Sequence, residues 1–277
     1  MRSRLRTLAL APAATLLAIT VGAPFLILAA YACLSRGVYG GVMPPWTLEN
    51  WQRLADPLYG GILARSFLVA ALSTLLCLLL AFPLALYIAR STRRKNLLLA
   101  LVMLPFWTSL LVRTWAWMFL LRDTGLVNTL LLKAGLISAP LPLLYNWGAV
   151  VLGLVYAHLP FMVLPLYAAL ERQDPALAEA AADLGAREWQ AFWRVTLPLA
   201  APGIRAGVLL TFIPCLGAFL IPDLLGGGRT ILVGTFIQNQ FTTARDWPFG
   251  SAVSLALMAV VLVLLWVEVR RRREPLL

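Results

Sequence analysis

The sequence predicts an all-α polytopic membrane protein of about six transmembrane helices, with a helical cytoplasmic stretch between the fourth and fifth. Three observations carry this: charge is scarce, apolar runs of crossing length recur from end to end, and basic residues gather beside those runs. Of 277 residues, 61 % are hydrophobic and 13 % charged, against about 25 % charged in a typical soluble domain. That leaves too little polar surface to coat a globule, so the chain is read as one transmembrane domain over residues 1–277.

An α-helix needs about 20 apolar residues to cross some 30 Å of hydrocarbon. Six runs meet that length: Leu8 to Leu34, Phe67 to Ala89, Leu97 to Leu121, Trp147 to Leu170, Ile204 to Leu225, and Pro248 to Val269. The first follows Arg2, Arg4 and Arg6 as a signal peptide would, but it outruns an h-region of roughly 7 to 15 residues and is read as a retained span. Every run holds a proline, the sixth at its first residue, which membrane helices tolerate when neighbours re-satisfy the freed backbone groups. Leu104-Pro105-Phe106 and Leu159-Pro160-Phe161 recur in the third and fourth runs and are read as local kinks, being too short for an internal repeat.

The net charge of +11 raises the question of nucleic acid, and its distribution answers it. No basic face is interleaved with stacking aromatics; the charges abut apolar runs instead. One set of loops and ends holds Arg2, Arg4, Arg6, Arg90, Arg93, Arg94, Lys95, Arg172, Arg187, Arg194, Arg205 and Arg270 to Arg273, fifteen in all. The other holds seven: Arg36, Arg53, Arg65, Arg122, Lys133, Arg229 and Arg245. By the positive-inside rule the richer set, with both termini, is cytoplasmic. The outer loops carry Trp46, Trp51, Tyr59, Tyr145, Trp147 and Trp247, suited to an interfacial aromatic belt. Cys33, Cys77 and Cys215 lie apart within apolar runs, which indicates buried thiols rather than disulfides or a metal knuckle.

The stretch from Glu171 to about Gly203 stands apart, with five of the twelve acids. Asp174-Pro175 is a helix start, the carboxylate capping an orphan amide and the proline filling the first turn. A short helix through Ala176 to Leu184 should end at Gly185, which can take the left-handed conformation. A second should carry Trp189, Phe192 and Trp193 on one face, and Pro198 and Pro202 should close the stretch before the fifth span. Its alanines permit close approach at little side-chain entropy cost, so the unit reads as an interaction surface; a membrane-surface amphipathic hairpin is the plainer alternative.

Here the chain resembles a known family. Glu179-Ala180-Ala181, three residues, Gly185, nine residues and Val195-Thr196-Leu197-Pro198 look like the EAA loop of ABC importer permeases, with valine for isoleucine. Asp56-Pro57-Leu58-Tyr59, Leu104 to Thr108, Leu154-Val155-Tyr156, Leu159 to Val163 and Arg245 to Gly250 look like the spermidine/putrescine branch along nearly the whole chain. The resemblance implies a multi-pass permease of the bacterial inner membrane that alternates access. Glu179, Ala180, Ala181, Asp183, Leu184, Gly185 and Pro198 would couple it to a cytoplasmic ATPase dimer. It further implies a second permease subunit, a paralogue, and a soluble substrate-binding protein, with ATP and Mg held by the ATPase and no cofactor on this chain.

A polyamine is a flexible cation, so carboxylates and aromatic faces suit its path. Asp223, before Gly226-Gly227-Gly228, is the candidate nearest lipid depth, followed by Asp123 and Asp246; Trp107, Trp115, Trp117, Tyr156 and Phe161 are the aromatic candidates. Each has a plainer reading: Asp223 paired with Arg229 or lying in a polar loop, the aromatics packed on neighbours. Arg113 is the odd cation in a span, read as paired with an acid or a carbonyl, and His158 as hydrogen-bonded within the bundle. The remaining alternatives are a permease for another small solute and an ion-coupled secondary transporter, which needs intramembrane carboxylates or broken helices in matched halves. One histidine and scattered serines give no catalytic constellation, and no Gly-Lys-Ser/Thr phosphate loop is present.

Overall fold

The computed structural model describes residues 2–273, with side chains for 12–270 except Ala178. The basic side chains at Arg2, Arg4, Arg6 and Arg271 to Arg273, which enter the charge count, lie outside the described side chains, as does Leu277. Among the described residues, five helices are long and apolar enough to cross a membrane: Pro12–Ala32, Pro57–Arg90, Trp147–Glu171, Glu188–Leu216 and Trp247–Arg270. A sixth crossing exists if Lys95–Trp107 and Leu110–Lys133, which meet at 90°, form one broken span. The polytopic all-α expectation therefore holds, and its spans are corrected in three places.

The second span begins at Pro57, ten residues before the expected Phe67, because Asp56 and Pro57 form a helix start: Asp56 Oδ1 accepts from Leu58 N at 2.9 Å. The third is interrupted. A helix over Lys95–Met103 tightens into a 3₁₀ turn at Leu104–Trp107, the backbone is extended at Thr108 and Ser109, and a new helix starts at Leu110. Pro105 lacks the amide that would continue the first segment. The fifth ends at Leu216 rather than Leu225, since Gly217 breaks it and Pro222 cannot donate to a continued ladder. At its other end Pro198 and Pro202 close nothing: a π turn over Phe192–Thr196, with Leu197 N bonded to Phe192 O, runs straight into the helix Leu197–Leu216. A wider turn ahead of Pro198 gives its ring room where an α turn would clash.

The contacts divide the chain into two compact units, Met1–Gly61 with Phe236–Leu277, and Ile62–Thr235. The first seven helices are α1 Arg2–Ala32, α2 Glu49–Leu54, α3 Pro57–Arg90, α4 Lys95–Met103, α5 Leu110–Leu121, α6 Leu126–Lys133 and α7 Trp147–Glu171. After these come α8 Pro175–Asp183, α9 Glu188–Ala191, α10 Leu197–Leu216, α11 Leu220–Gly226, α12 Val233–Phe241 and α13 Trp247–Arg273.

In the first unit α1 packs along α13. An antiparallel hairpin, β1 Leu34–Arg36 and β2 Val42–Trp46, follows α1, where the sequence shows no strand signal strong enough to expect one; Gly40 and Gly41 turn it at φ 93° and 79°. The buried Asn50 donates to Ala32 O at 3.1 Å and Leu34 O at 2.9 Å, fixing the chain's exit from α1. Arg53 pairs with buried Asp246 at 3.0 Å and lies 4.0 Å over the Phe249 ring. Asp246 also accepts from Phe249 N at 3.2 Å, capping α13, so this carboxylate is structural and not free for cargo.

The second unit is built on α7. Leu154, Met162, Val163 and Leu166 are fully buried, and α10, α11, α5 and α4 pack around the helix. Close approach to α10 depends on two glycines: a Cβ on Gly203 would lie 2.5 Å from Ala169 Cβ and 2.6 Å from Pro165 O, and one on Gly207 would lie 2.6 Å from Met162 Sδ. Small residues serve here because lipid supplies no hydrophobic drive between helices and packing must hold them.

Candidate functional site

The stretch between α7 and α10 is shaped by its own residues. Asp174 Oδ1 accepts from Ala176 N at 3.0 Å with Pro175 in the first turn. Gly185, at φ 83°, ends α8: its N donates to Ala182 O at 2.8 Å and Ala186 N donates to Ala181 O at 3.0 Å, the paired bonds of a Schellman stop. Gln190 Oε1 then accepts from Arg187 N at 2.9 Å to open α9. The expected aromatic face is split by the π turn. Phe192 turns inward onto Phe82, with ring centroids 5.4 Å apart at 82°, while Trp189 and Trp193 are exposed.

The loop is anchored but α8 is not embedded. Gln173 Nε2 donates to Thr196 O at 3.1 Å, and Lys95 pairs with Glu171 at the end of α7. A cleft of about 640 Å³ separates α8 from the end of α3, lined by Arg90, Thr92, Glu171, Asp174, Glu179 and Ala182. Another of about 580 Å³ lies on its other side, against Ala169, Leu199 and Gly203. Glu179, Ala180, Asp183 and Leu184 are exposed, Leu184 at 90 %, and Ala181 is half-buried; Pro198 sits beyond the π turn, exposed at the start of α10. The helix thus presents small, apolar and acidic side chains to open space.

At the other end of the unit a cavity of about 950 Å³ is lined by Met118, Arg122, Asp123, Tyr145, Asp223 and Arg229, among others. Buried Asn128 organises its rim, donating to Arg122 O at 3.2 Å and Leu141 O at 3.0 Å and accepting from Leu141 N at 2.8 Å. Tyr145, held at φ 60°, donates from its backbone N to Leu225 O at 2.9 Å, and its ring covers Gly227, which is left-handed at φ 58°. A side chain at Gly227 would strike that ring. Asp223 is exposed to the cavity, and among the described residues no ion pair joins it to Arg229. Two carboxylates and two guanidinium groups therefore face one space. Asp223 and Asp123 were legible in the sequence; Arg122, Tyr145 and Arg229 as wall residues were not, because three separate segments build the wall.

The aromatic candidates do not join Asp223. None of Trp107, Trp115, Tyr156 or Phe161 lines that cavity. Trp107 is 85 % exposed at the break in the third span and Trp115 is exposed on α5 beside Phe119. Tyr156 packs edge-on to Trp117 at 5.5 Å, and Phe161 to Phe106 at 5.0 Å. The two Leu-Pro-Phe copies thus meet through their rings. His158 Nδ1 donates to Leu154 O at 2.9 Å within α7, as a bundle histidine should. Arg113 departs from expectation: its guanidinium lies 5.5 Å from the Phe106 centroid, and Nε and Nη1 are enclosed with no hydrogen-bond partner. Among the described residues neither an acid nor a carbonyl is aimed at these two nitrogens.

Residues 79–269 match the family described as binding-protein-dependent transport system inner membrane component. The chain is 43 % identical over 251 residues to the spermidine/putrescine transport system permease protein PotB of Haemophilus influenzae, covering 90 % of this chain and 88 % of the relative. It is 34 % identical over 230 residues to the molybdenum transport system permease protein ModB of Mycobacterium bovis, covering 82 % and 84 %. The crystal structure of a bacterial ABC transporter that imports the acidic polysaccharide alginate contains a chain of the same fold, with TM-score 0.79 at 20 % identity over 99 % of this chain and 97 % of that one. With a family match over residues 79–269 and 43 % identity to a permease relative over 90 % of its length, the chain belongs to the inner-membrane permease components of binding-protein-dependent ABC importers.

Proposed function

We propose that this permease carries polyamines inward as one of two membrane-spanning subunits, a paralogue being the other, with cargo arriving on a soluble receptor. A cytoplasmic ATPase dimer that binds ATP and Mg docks on α8 through Glu179, Ala180, Ala181, Asp183, Leu184 and Gly185, with Pro198 at the base of the docking unit. The observation that carries the docking role is the α8 helix itself, closed at both ends by its own caps yet flanked by open clefts. The polyamine reading is supported by the identity to the spermidine/putrescine permease and by the carboxylates Asp123 and Asp223 in the outer cavity. The path would run from Asp223 past the broken span, where Trp107 and Trp115 are exposed, and along α7, which carries Tyr156 and Phe161. Both termini are cytoplasmic on this reading, supported by the fifteen-to-seven asymmetry of basic residues.

The test is uptake of labelled putrescine and spermidine by the four-component assembly in proteoliposomes. Gly185→Asp and Glu179→Arg should leave the chain inserted and should remove receptor-stimulated ATP hydrolysis and uptake together; full coupling in both variants would sink the docking role. Arg122 and Arg229 in the cavity favour a second reading, an anionic solute, and molybdate in the same assay distinguishes it.

A further inference from the structure

We propose that Phe192 and Gln173 are positioning residues that pass a displacement of the docked α8 into the membrane spans, acting at the π turn over Phe192–Thr196. This rests on the docking reading of α8 given above. The π turn is where that unit and three spans come together: α8 packs against it, α9 runs into it and α10 runs out of it. The ring of Phe192 meets Phe82 of α3 edge-on, with centroids 5.4 Å apart. Gln173, just past the end of α7, donates from Nε2 to Thr196 O at 3.1 Å.

The Gln173 bond closes the unit on itself. Gln173 stands at its entry and Thr196 at its exit, 23 residues apart in sequence, and the Gln173 backbone N is itself held to Leu170 O of α7 at 3.2 Å. With entry and exit tied, a push on α8 is taken up by the π turn. Without the tie it would be lost in a swing at Gly185, the left-handed residue between α8 and α9.

The ring contact lies where both helices yield most readily. Pro83 follows Phe82 and has no amide to donate to Leu79 O, so α3 lacks a ladder bond beside the contact. In the other helix the wide bond from Leu197 N to Phe192 O replaces an α turn directly ahead of Pro198. Prolines and π turns are the points at which helices bend, and π turns recur at functional sites. Phe192 supplies the backbone acceptor of the wide turn and, through its ring, the contact to α3, so a change in the turn moves the ring. Among the described aromatics of this stretch, Trp189 and Trp193 are exposed, and Phe192 is the one that meets a ring of another span.

The experiment reconstitutes the four-component assembly in proteoliposomes and reads solute moved per ATP hydrolysed, using labelled putrescine, or molybdate where the wild-type assembly takes that up. Retention of the ATPase on the tagged chain and the melting temperature in detergent are measured beside it. Phe192→Ala should keep the ATPase bound and lower uptake per ATP by about fivefold. Phe82→Ala should do the same, and the double variant should be no worse than either single one, because each removes the same contact. Phe192→Leu, which keeps apolar bulk, should recover most of the ratio. Gln173→Met, similar in shape but without the donor, should lower the ratio from a half-buried position where folding is not at stake. Independent, additive losses at Phe192 and Phe82 would overturn the proposal. So would a lowered melting temperature with uptake and hydrolysis falling in proportion, which would make these residues packing alone. Release of the ATPase by Phe192→Ala would place the ring in the docking surface and also overturn it. A wild-type chain that retains no ATPase defeats the docking reading itself, whereas a coupled assembly whose ratio is indifferent to Phe192, Phe82 and Gln173 defeats this inference alone.

Discussion

Leu104-Pro105-Phe106 and Leu159-Pro160-Phe161 place the same three residues in two settings. In α7, Pro160 is buried and the helix runs unbroken from Trp147 to Glu171, with Pro165 a further turn on. In the third span the helix stops, opens at Thr108 and Ser109, and resumes at 90°. The proline costs each helix an amide and a ladder bond, about 3 kcal/mol in a helix interior. What differs is the surroundings. α7 is clasped by α10 through Gly203 and Gly207 and by α11 at Gly153, where a Cβ would lie 2.8 Å from Ile221. No such clasp holds α4, which has no buried residue, and α5 has only Thr114 and Leu121. The outcome of a proline in a membrane helix is set by packing, and a break survives where protein lines it, as Phe161 lines the break at Phe106.

If packing is the deciding factor, the largest effect should come from undoing the clasp. Gly203→Leu forces side-chain atoms into Ala169 and Pro165, and an overpacked interior of this kind costs about 3 kcal/mol. It should lower the melting temperature in detergent sharply, whereas Val112→Ala on exposed α5 should leave it almost unmoved; equal effects would show that both spans rest on similar packing.

A finer contrast lies in the helix starts. Asn146 caps α7, accepting from Ala149 N at 2.9 Å and donating to Pro142 O at 2.8 Å, while Ser109 at the start of α5 makes no side-chain cap bond. Asn146→Ala should therefore cost about 1 kcal/mol, and Ser109→Ala less than about 0.5 kcal/mol, read from the same thermal curves. A larger loss at Ser109 would mean that the break is held by its own residues.

The smallest effect on stability belongs to Asp223→Asn, at the cavity where α5 ends and α11 begins. With no ion pair to Arg229 to lose, the change should move the melting temperature within error and still reduce diamine uptake. If stability falls and a second change at Arg229 restores it, the two residues interact and the cargo role lapses.

Legibility follows sequence distance. The helix α8 is readable because its start at Asp174-Pro175 and stop at Gly185 depend on bonds spanning no more than a few residues. The same Asp-Pro signal stands at Asp56-Pro57, but there Tyr59, Gly60, Gly61 and Arg65 dilute the apolar run and mask the true start of the span. Asp246 shows the opposite failure. An acid in a loop gives no sign that Arg53, 193 residues away, will claim it.

By itself the sequence determined that the chain lives in lipid, which runs are apolar enough to cross it and where one short helix begins and ends, since transfer energy and capping are summed over neighbouring residues. Only the tertiary structure decided which proline breaks its helix, which acids face the cavity beside α11, and that among the described residues two Arg113 nitrogens find no hydrogen-bond partner. Each of these depends on what a distant segment brings within a few ångströms, and a linear pattern carries no such distance.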